Sequence, residues 1–370
     1  MGEYFLMNKN SKLMLFSVNQ DEFSQFFCKE IKLYVEKKLL PPGFGNIHDW
    51  VDRRNYAKHK AHLQKWLKVW QLDNIKGFLD VTHALGLNDT LWVQRVEENL
   101  SWDDVSLYYN DFTDVIAKTA FSKGLRGLQL SSTSPEFTSE GSFEKCWIRN
   151  KSGDIFLYKK GSEGFANSGL EPYSEFYASQ ISNRICRSAL SYNLHKFKGH
   201  LVSSCAMFTD ENNGFFPIYK YLDSSKRYRF GDILAFLKQF ALDENFMDMI
   251  VLDAVILNPD RHLGNFGFIV DNDTFRIKRL APVFDHNMAL LPHAMDISMA
   301  EDIEYAKSLG HKIGADFIQA AKAMLTPRTK NILHQLQDFS FSPHSSYNLP
   351  AKRLRLLNSL VQNQIREILS

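Results

Sequence analysis

Three polar residues in the second half of the chain have the types and the spacing that phosphoryl transfer requires. Asp260 and Asn265 lie in the segment NPDRHLGNFGF (258–268), and Asp285 follows farther along the chain. One carboxylate of such a set can orient an attacking hydroxyl and accept its proton, while an amide oxygen and a second carboxylate can hold Mg²⁺ on the phosphates of ATP. We therefore predict Asp260 as the catalytic base and Asn265 and Asp285 as magnesium ligands.

The elements around these residues can hold them at one pocket. The apolar segment 246–256 predicts a buried helix that ends just before Asp260, and two strand-like runs joined by a turn predict a hairpin that ends at Asp285. Rigid supports matter here, because positioning and charge neutralisation account for most of this chemistry. The alternative interpretation is structural, with Asp260 capping a turn and Arg261 as its ion-pair partner.

A second pair of residues has the order of a phosphate-binding cation and its supporting acid. The strand-like run IFLYKK (155–160) ends in Lys159 and Lys160, and the alternation of a strand turns only one of them inward. The segment 171–181 predicts a helix with Pro near its start and Glu175 beside its apolar face. An unpaired Glu at such a position is costly, so a lysine is its expected partner. The residues alone leave Lys159, Lys160 and a solvated strand end as alternatives.

The composition is that of an ordinary globular chain of 370 residues, with 44% hydrophobic residues and a net charge of +2. So small a positive excess does not indicate nucleic-acid binding. The four cysteines are scattered, which predicts free thiols in a reducing compartment. The N-terminus lacks a signal-peptide pattern, and no apolar run approaches the roughly 20 residues of a membrane span, so we expect no transmembrane segment.

The order of patterns along the chain predicts an α+β protein with a two-lobed, protein-kinase-like fold. Residues 1–125 are predicted to be an added helical region of unknown role, including a helix-like pattern at 22–39 and a basic helix at 50–72. Residues 126–215 are predicted to form a small β-rich ATP-binding lobe with one helix. Residues 216–370 are predicted to form a larger helical catalytic lobe.

The segments NPDRHLGNFGF and LAPVFD (280–285) together resemble the HipA-like serine/threonine kinases, especially their bacterial effector branch. In that family the motif Asp is the base, and the motif Asn and the later Asp bind magnesium. Those roles fall on Asp260, Asn265 and Asp285. His286 and Asn287 stand where ordinary protein kinases have Phe-Gly, which separates the chain from the eukaryotic type but not from this family.

The same resemblance implies which residues of the small lobe contact the nucleotide. The order of strand, lysine and small-residue loop favours Lys159, and the helix that follows resembles the family helix that carries the acid, here Glu175. The strand-like segment 201–209 is predicted as the hinge, with the backbone near Met207 meeting adenine.

The segment 139–145 stands where the family has its phosphate-covering loop. The resemblance therefore implies nucleotide contacts from Gly141, Ser142 and Lys145, although an ordinary hairpin turn is the alternative. Because family members can autophosphorylate a serine in this region, Ser139 or Ser142 is the expected regulatory site.

Together these features predict an ATP- and Mg²⁺-dependent serine/threonine kinase that autophosphorylates and acts as a bacterial toxin or effector. Its expected partners are ATP, a protein substrate carrying Ser or Thr, and an antitoxin or host protein. The expected location is the bacterial cytoplasm, or the host cell for a translocated effector. The alternatives are a lipid or small-molecule kinase, and a non-catalytic interaction protein on a kinase scaffold.

Overall fold

The computed structural model describes residues 2–55, 74–111, 144–164, 168–296, 298–314 and 316–370. Within these ranges the chain forms three antiparallel sheets and a series of helices, so the predicted mixture of helix and antiparallel sheet is present. Among the described residues we find no helix whose length and apolar character would let it span a bilayer.

The first sheet is formed by the N-terminal region. Its strands pair in the order β3-β2-β1-β4, with bounds β1 (Gly2–Asn8), β2 (Ser11–Gln20), β3 (Phe26–Leu33) and β4 (Leu91–Arg95). In the described part of this region, the helices that accompany the sheet are α1 (Ile47–Arg54), α2 (Ile75–Thr82) and the short α3 (Trp102–Val105). The described part of the N-terminal region is therefore built on a sheet, and our prediction of a helical region is wrong for these residues.

The segment 22–39 explains this error. Its apolar residues have a helix-like spacing, yet residues 26–33 form β3 and pair along β2. In β2 the alternate residues Met14, Phe16 and Val18 are buried, which is the pattern of a half-buried strand. A short apolar run does not distinguish helix from strand by itself, and the neighbouring strand decides the outcome. Of the predicted basic helix at 50–72, residues 50–54 lie in α1 and residues 56–72 lie outside the described residues.

Strand β1 is central in this sheet and is covered on both faces. Tyr4 and Leu6 point into the main core, which also contains α1 and α2 residues. Phe5 and Met7 point into a second cluster around Trp92. Burial of both faces turns the N-terminal sheet into a packed part of the molecule.

The N-terminal region also contacts the part of the chain that leads into the third sheet. Trp102 donates its indole N–H to Glu211 Oε1 at 2.7 Å, and the Asn8 amide donates to the Asn272 carbonyl at 2.7 Å. The backbone N–H of Phe215 donates to a carbonyl of the N-terminal region at 2.6 Å. These contacts attach the N-terminal region to residues 211–215 and to Asn272, which follows β10.

The second sheet pairs in the order β5-β6-β8-β7, with bounds β5 (Lys145–Arg149), β6 (Ile155–Lys160), β7 (Asn193–Phe197) and β8 (His200–Ala206). The predicted hairpin of β5 and β6 is confirmed, and Lys145 is opposite Lys159 in its register. The turn between them contains Gly153 at φ +91°, a conformation that favours glycine. Helix α4 (Glu171–Ile185) packs against β8.

The third sheet is formed by β9 (Asn213–Pro217), β10 (Gly267–Asp271) and β11 (Ile277–Leu280), with β10 in the middle. The predicted hairpin after the NPDRHLGN segment is thus confirmed as β10 and β11. The remaining helices are α5 (Phe230–Lys238), α6 (Asp243–Val255), α7 (Met299–Leu309), α8 (Phe317–Met324), α9 (Pro327–Gln335) and α10 (Ala351–Leu369). Helix α6 is the predicted buried helix, and α8 and α10 pack against it.

Candidate active site

Lys159, Glu175 and Asp285 meet at one point between β6, α4 and the chain that follows β11. The Lys159 ammonium lies 2.7 Å from Glu175 Oε1 and 2.7 Å from Asp285 Oδ1. The other oxygen of Glu175 accepts a hydrogen bond from the Ser203 hydroxyl at 2.6 Å. The contact predicted between a lysine and Glu175 is therefore present, and Lys159 makes it.

Lys160 points to the opposite face of β6, as the alternation of a strand requires. Its ammonium contacts Glu144 and Glu163, each at 2.7 Å. The alternative in which Lys160 partners Glu175 is therefore excluded. Both lysines are paired with two carboxylates, but only Lys159 reaches Asp285.

The two acids that share Lys159 differ in their electrostatic environment. Burial raises the pKa of Glu175, and the adjacent ammonium only partly opposes this effect. Burial also acts on Asp285, but the Lys159 ammonium outweighs it, with smaller contributions from Lys145 and Arg261, and lowers the pKa of Asp285 to about 2. Burial disfavours the Lys159 ammonium, yet its two carboxylate partners raise the pKa of Lys159. Asp285 is thus the acid held most firmly in its charged form.

A buried ion pair fixes the loop that carries Asp260. Arg261 is fully buried and donates from Nε and Nη2 to the two oxygens of Asp253, each at 3.0 Å. Asn258 donates its amide to the same carboxylate at 3.2 Å, and its own oxygen accepts the backbone N–H of Asp260. Arg261 therefore pairs with Asp253, near the end of α6. The alternative interpretation, in which Arg261 is the ion-pair partner of Asp260, is wrong.

The remaining nitrogen of Arg261 joins the two candidate metal-binding segments. Its Nη1 donates to the Asn265 carbonyl at 3.0 Å and to the Phe284 carbonyl at 2.6 Å. Phe284 immediately precedes Asp285, so a single guanidinium fixes the backbone beside both Asn265 and Asp285. The five donors of a planar guanidinium suit such a role.

Asn265 and Asp285 present oxygen donors that fit a hard divalent cation. Asn265 is 7% exposed and donates its amide nitrogen to the Asp260 carbonyl at 3.1 Å, which directs its side-chain oxygen elsewhere. Asp285 has one oxygen on Lys159, and the low pKa of this carboxyl keeps it charged. One carboxylate and one amide oxygen are the kind of protein ligands Mg²⁺ uses when phosphates supply the rest.

The backbone at Asp285 is held in an unusual conformation. Its φ is +62°, in the left-handed region, where Asp is tolerated better than most residues. Its backbone N–H donates to the Tyr192 hydroxyl at 3.1 Å. The next residue, His286, is fully buried, and burial lowers its pKa well below the ordinary value, so its ring is neutral. The neutral ring of His286 therefore adds no charge next to Asp285.

The Asp260 carboxylate is half-buried and accepts from the ammonium of Lys312, which lies in the connection between α7 and α8. The sequence predicted neither the contact of Lys312 with Asp260 nor the hydrogen bonds of Arg261 to Asp253 and to the two carbonyls. Lys312 is 52 residues from Asp260 in the chain, so no local pattern links the two. The adjacency of Arg261 to Asp260 was visible, but it suggested the wrong partner.

The other predicted nucleotide-binding residues divide into two groups. Lys145 lies on β5 opposite Lys159 and close enough to Asp285 to lower the pKa of that carboxyl. Met207 follows β8, and its backbone N–H donates to the Ile155 carbonyl at 2.9 Å, so this N–H is already used within the protein. Gly141 and Ser142, with Ser139, lie outside the described residues.

The chain is similar to known proteins in sequence and in fold. Residues 187–340 match the family model of the HipA-like C-terminal domain. A serine/threonine-protein kinase CtkA of Helicobacter pylori is 28% identical over 141 residues, which cover 34% of this chain and 42% of the relative. The alignment thus spans less than half of that relative's length.

Two solved structures are similar to this chain, and the second of them is similar in fold. The H. pylori proinflammatory kinase CtkA has a TM-score of 0.46 at 18% identity and covers 61% of this chain and 92% of its own. HipA of Shewanella oneidensis MR-1, from a complex of HipA, HipB and operator DNA, has a TM-score of 0.52 at 10% identity over 98% of this chain and 96% of its own.

The matched residues contain Asp260, Arg261, Asn265, Asp285 and Lys312, whereas Lys159 and Glu175 precede them. The ion pair between Lys159 and Asp285 connects the two parts. The predicted resemblance is therefore confirmed for this portion of the chain, since residues 187–340 match the HipA-like C-terminal domain.

Proposed function

We propose that this protein is an ATP- and Mg²⁺-dependent serine/threonine kinase. The observation that carries the proposal is the contact of Lys159 with both Glu175 and Asp285, at a distance of 2.7 Å each. A scaffold protein has no need to bury a lysine between two acids and to tie one of them to a D-R-H-x-x-N loop. A kinase requires this arrangement, because the lysine must reach the nucleotide phosphates and the second acid must face the metal.

In this proposal each residue has one task. Lys159 contacts the α- and β-phosphates of ATP, and Glu175 holds its ammonium in place. Asp260 orients the acceptor hydroxyl and takes its proton as the oxygen bonds to the γ-phosphorus and ADP leaves. Asn265 and Asp285 would hold Mg²⁺, which supplies charge neutralisation on the phosphates when bound.

The regions beyond this centre have proposed roles that rest on the resemblance to HipA-like kinases. Lys145, Gly141 and Ser142 would contact the phosphates, and the backbone near Met207 would meet adenine. Ser139 or Ser142 would be the autophosphorylation site. Because the similar proteins are a bacterial kinase and a toxin–antitoxin component by name, we propose a toxin or effector role, with a protein substrate and an antitoxin or host protein as partners.

The deciding experiment is incubation of the full chain with γ-labelled ATP and Mg²⁺, followed by phosphosite mapping. The reactions should contain protein acceptors, lipid acceptors or no acceptor. We expect label on serine or threonine, and we expect Asp260→Asn to reduce its rate by roughly 10²–10⁴-fold, because a positioned base contributes about that much. Label only on lipid would favour a lipid kinase. No label on any acceptor, or a folded Asp260→Asn variant with full activity, would refute the proposal.

A further inference from the structure

The ammonium of Lys312 forms an ion pair with the carboxylate of Asp260. We propose that Lys312 is a positioning residue for phosphoryl transfer, which holds the Asp260 carboxylate on the acceptor side of the site. This inference rests on the kinase function proposed above, and it assigns a role to a residue outside the sequence motif. The side chain of Lys312 is 55% exposed and that of Asp260 is 26% exposed, so the pair lies at the open surface of the site.

The backbone that carries Lys312 is anchored by its neighbour. His311 is 3% exposed, and its ring packs between Phe230 on α5, at 5.2 Å between centroids, and Phe317 on α8, at 4.6 Å. The His311 carbonyl also accepts the backbone N–H of Gly314 at 2.8 Å. Lys312 therefore extends from a fixed point towards the site.

The two partners are carried by elements that pack together. Helix α6 leads directly into the loop of Asp260, and α8 begins just after the segment of Lys312. These two helices are in extensive contact. The distance between the backbones of Lys312 and Asp260 is thus set by helix packing, while the long lysine stem allows the ammonium to adjust.

Stability does not account for this contact. Exposed ion pairs of lysine with a carboxylate contribute little to the free energy of folding. The same exposure leaves the ammonium accessible to an incoming substrate. A cation beside the base can hold the carboxylate in orientation and can attract the phosphoryl oxygens as they move towards the acceptor.

Among the described residues, each of the two aspartates of the site then forms an ion pair with a different lysine. Lys159 pairs with Asp285 on the nucleotide side, where it is 13% exposed and also contacts Glu175. Lys312 pairs with Asp260 on the acceptor side. The first lysine is locked by burial, whereas the second is free to follow the transferred group.

The opposite role is inhibitory. In that case Lys312 would block the Asp260 carboxylate until a substrate displaces the lysine ammonium. The two roles predict opposite changes in rate when the ammonium is removed. A positioning role also predicts that arginine, which keeps the charge, retains more activity than an uncharged residue.

The test compares Lys312→Met and Lys312→Arg with the wild type, using dephosphorylated casein as a generic acceptor and autophosphorylation as a second readout. Lys322→Met is the matched control, because Lys322 lies exposed on α8 and donates only weakly, to Ser370 at 3.4 Å. We expect Lys312→Met to lower kcat about 10–100-fold, with the KM for ATP within about twofold and an unchanged unfolding temperature. Lys312→Arg should retain an intermediate rate, and Lys322→Met the full rate.

An active wild type with an equally active or faster Lys312→Met variant would overturn this inference alone. An equal loss in Lys312→Arg and Lys312→Met would also overturn it, since charge would then not matter. A wild-type chain that transfers no phosphate to casein or to itself would overturn the proposed function, and this inference with it.

Discussion

Lys159 and Asp285 are separated by 126 residues in the sequence, yet the Lys159 ammonium lies 2.7 Å from the Asp285 carboxylate. The contact joins β6 of the second sheet to the segment that follows β11 of the third sheet. Because Glu175 takes the same ammonium, the position of α4 is tied to the position of Asp285. The proposed function therefore depends on residues on both sides of this contact.

Replacement of Lys159 should affect both binding and transfer. Lys159→Ala leaves Glu175 buried without its cation, which should destabilise the fold by roughly 3 kcal/mol and weaken ATP binding. Lys159→Arg should restore only part of the activity, because a planar guanidinium does not replace a compact ammonium. Lys160→Ala is the matched control, since Lys160 also pairs with two carboxylates. Denaturant unfolding and ATP titration would measure both effects, and an equal loss of transfer in Lys160→Ala would contradict the assignment.

Arg261 should contribute to stability through its ion pair with Asp253 and to transfer through its hydrogen bonds to the Asn265 and Phe284 carbonyls, and the two contributions should be separable. Arg261→Met leaves Asp253 as an unpaired buried charge, which should cost roughly 3–5 kcal/mol. The double variant Asp253→Leu with Arg261→Met removes both charges and should recover much of that stability. It should not recover transfer, because Asn265 and Phe284 lose their shared donor. A stable double variant with wild-type turnover would show that Arg261 has no positioning role.

ATP should stabilise the protein only when a divalent cation is present. An ATP concentration of about 100 times its Kd should add roughly 2.7 kcal/mol to the free energy of unfolding, seen as a thermal shift in Mg²⁺ but not in EDTA. Asp285→Asn should abolish the dependence on the metal. The control Asp273→Asn changes an exposed acid on the β10–β11 turn, paired with Lys9, and should keep it. Equal shifts in EDTA and Mg²⁺ would rule out the assigned ligands.

His311 should make the fold sensitive to acid. Burial lowers the pKa of His311 to about 4, and the ordinary value of the unfolded chain is about 6.5. Between these values the unfolded state binds more protons, so stability is lost as the pH falls from about 6.5 towards 4. His311→Phe keeps the ring between Phe230 and Phe317 and should remove this loss.

Measured by urea unfolding, the stability of His311→Phe relative to wild type should rise by roughly 1–2 kcal/mol between pH 7 and pH 5. His334→Phe, on the exposed face of α9, is the control and should show no comparable rise. A constant difference between His311→Phe and wild type over this range would mean that His311 takes up its proton in the folded state as readily as in the unfolded state.

Local patterns were sufficient to predict the secondary structure on either side of the NPDRHLGN segment. The buried helix α6, the hairpin of β10 and β11, and the hairpin of β5 and β6 each follow from a periodicity and a turn within a short window. The choice of Lys159 over Lys160 followed from the strand alternation together with the family resemblance. Such features are determined by neighbours in the sequence, so a single sequence reveals them.

The features that were missed depend on distant partners. The segment that forms β3 is a strand because β2 pairs with it, and its own spacing did not reveal this. Arg261 turns inward because Asp253, a turn of α6 away, accepts two of its hydrogen bonds. Lys312 reaches Asp260 only because α6 and α8 pack together. In each case the deciding interaction is tertiary, and the local pattern had no access to it.

The contacts of the first sheet have a further consequence. The connection between β8 and β9 joins the second sheet to the third, and within it Glu211 accepts the indole N–H of Trp102 at 2.7 Å. Because this connection links the two sheets, a rotation of the second sheet against the third would either carry the N-terminal region along or break the hydrogen bond between Trp102 and Glu211. If a nucleotide beside Lys159 shifts that rotation, a molecule bound to the N-terminal sheet and the nucleotide must change each other's affinity by the same factor.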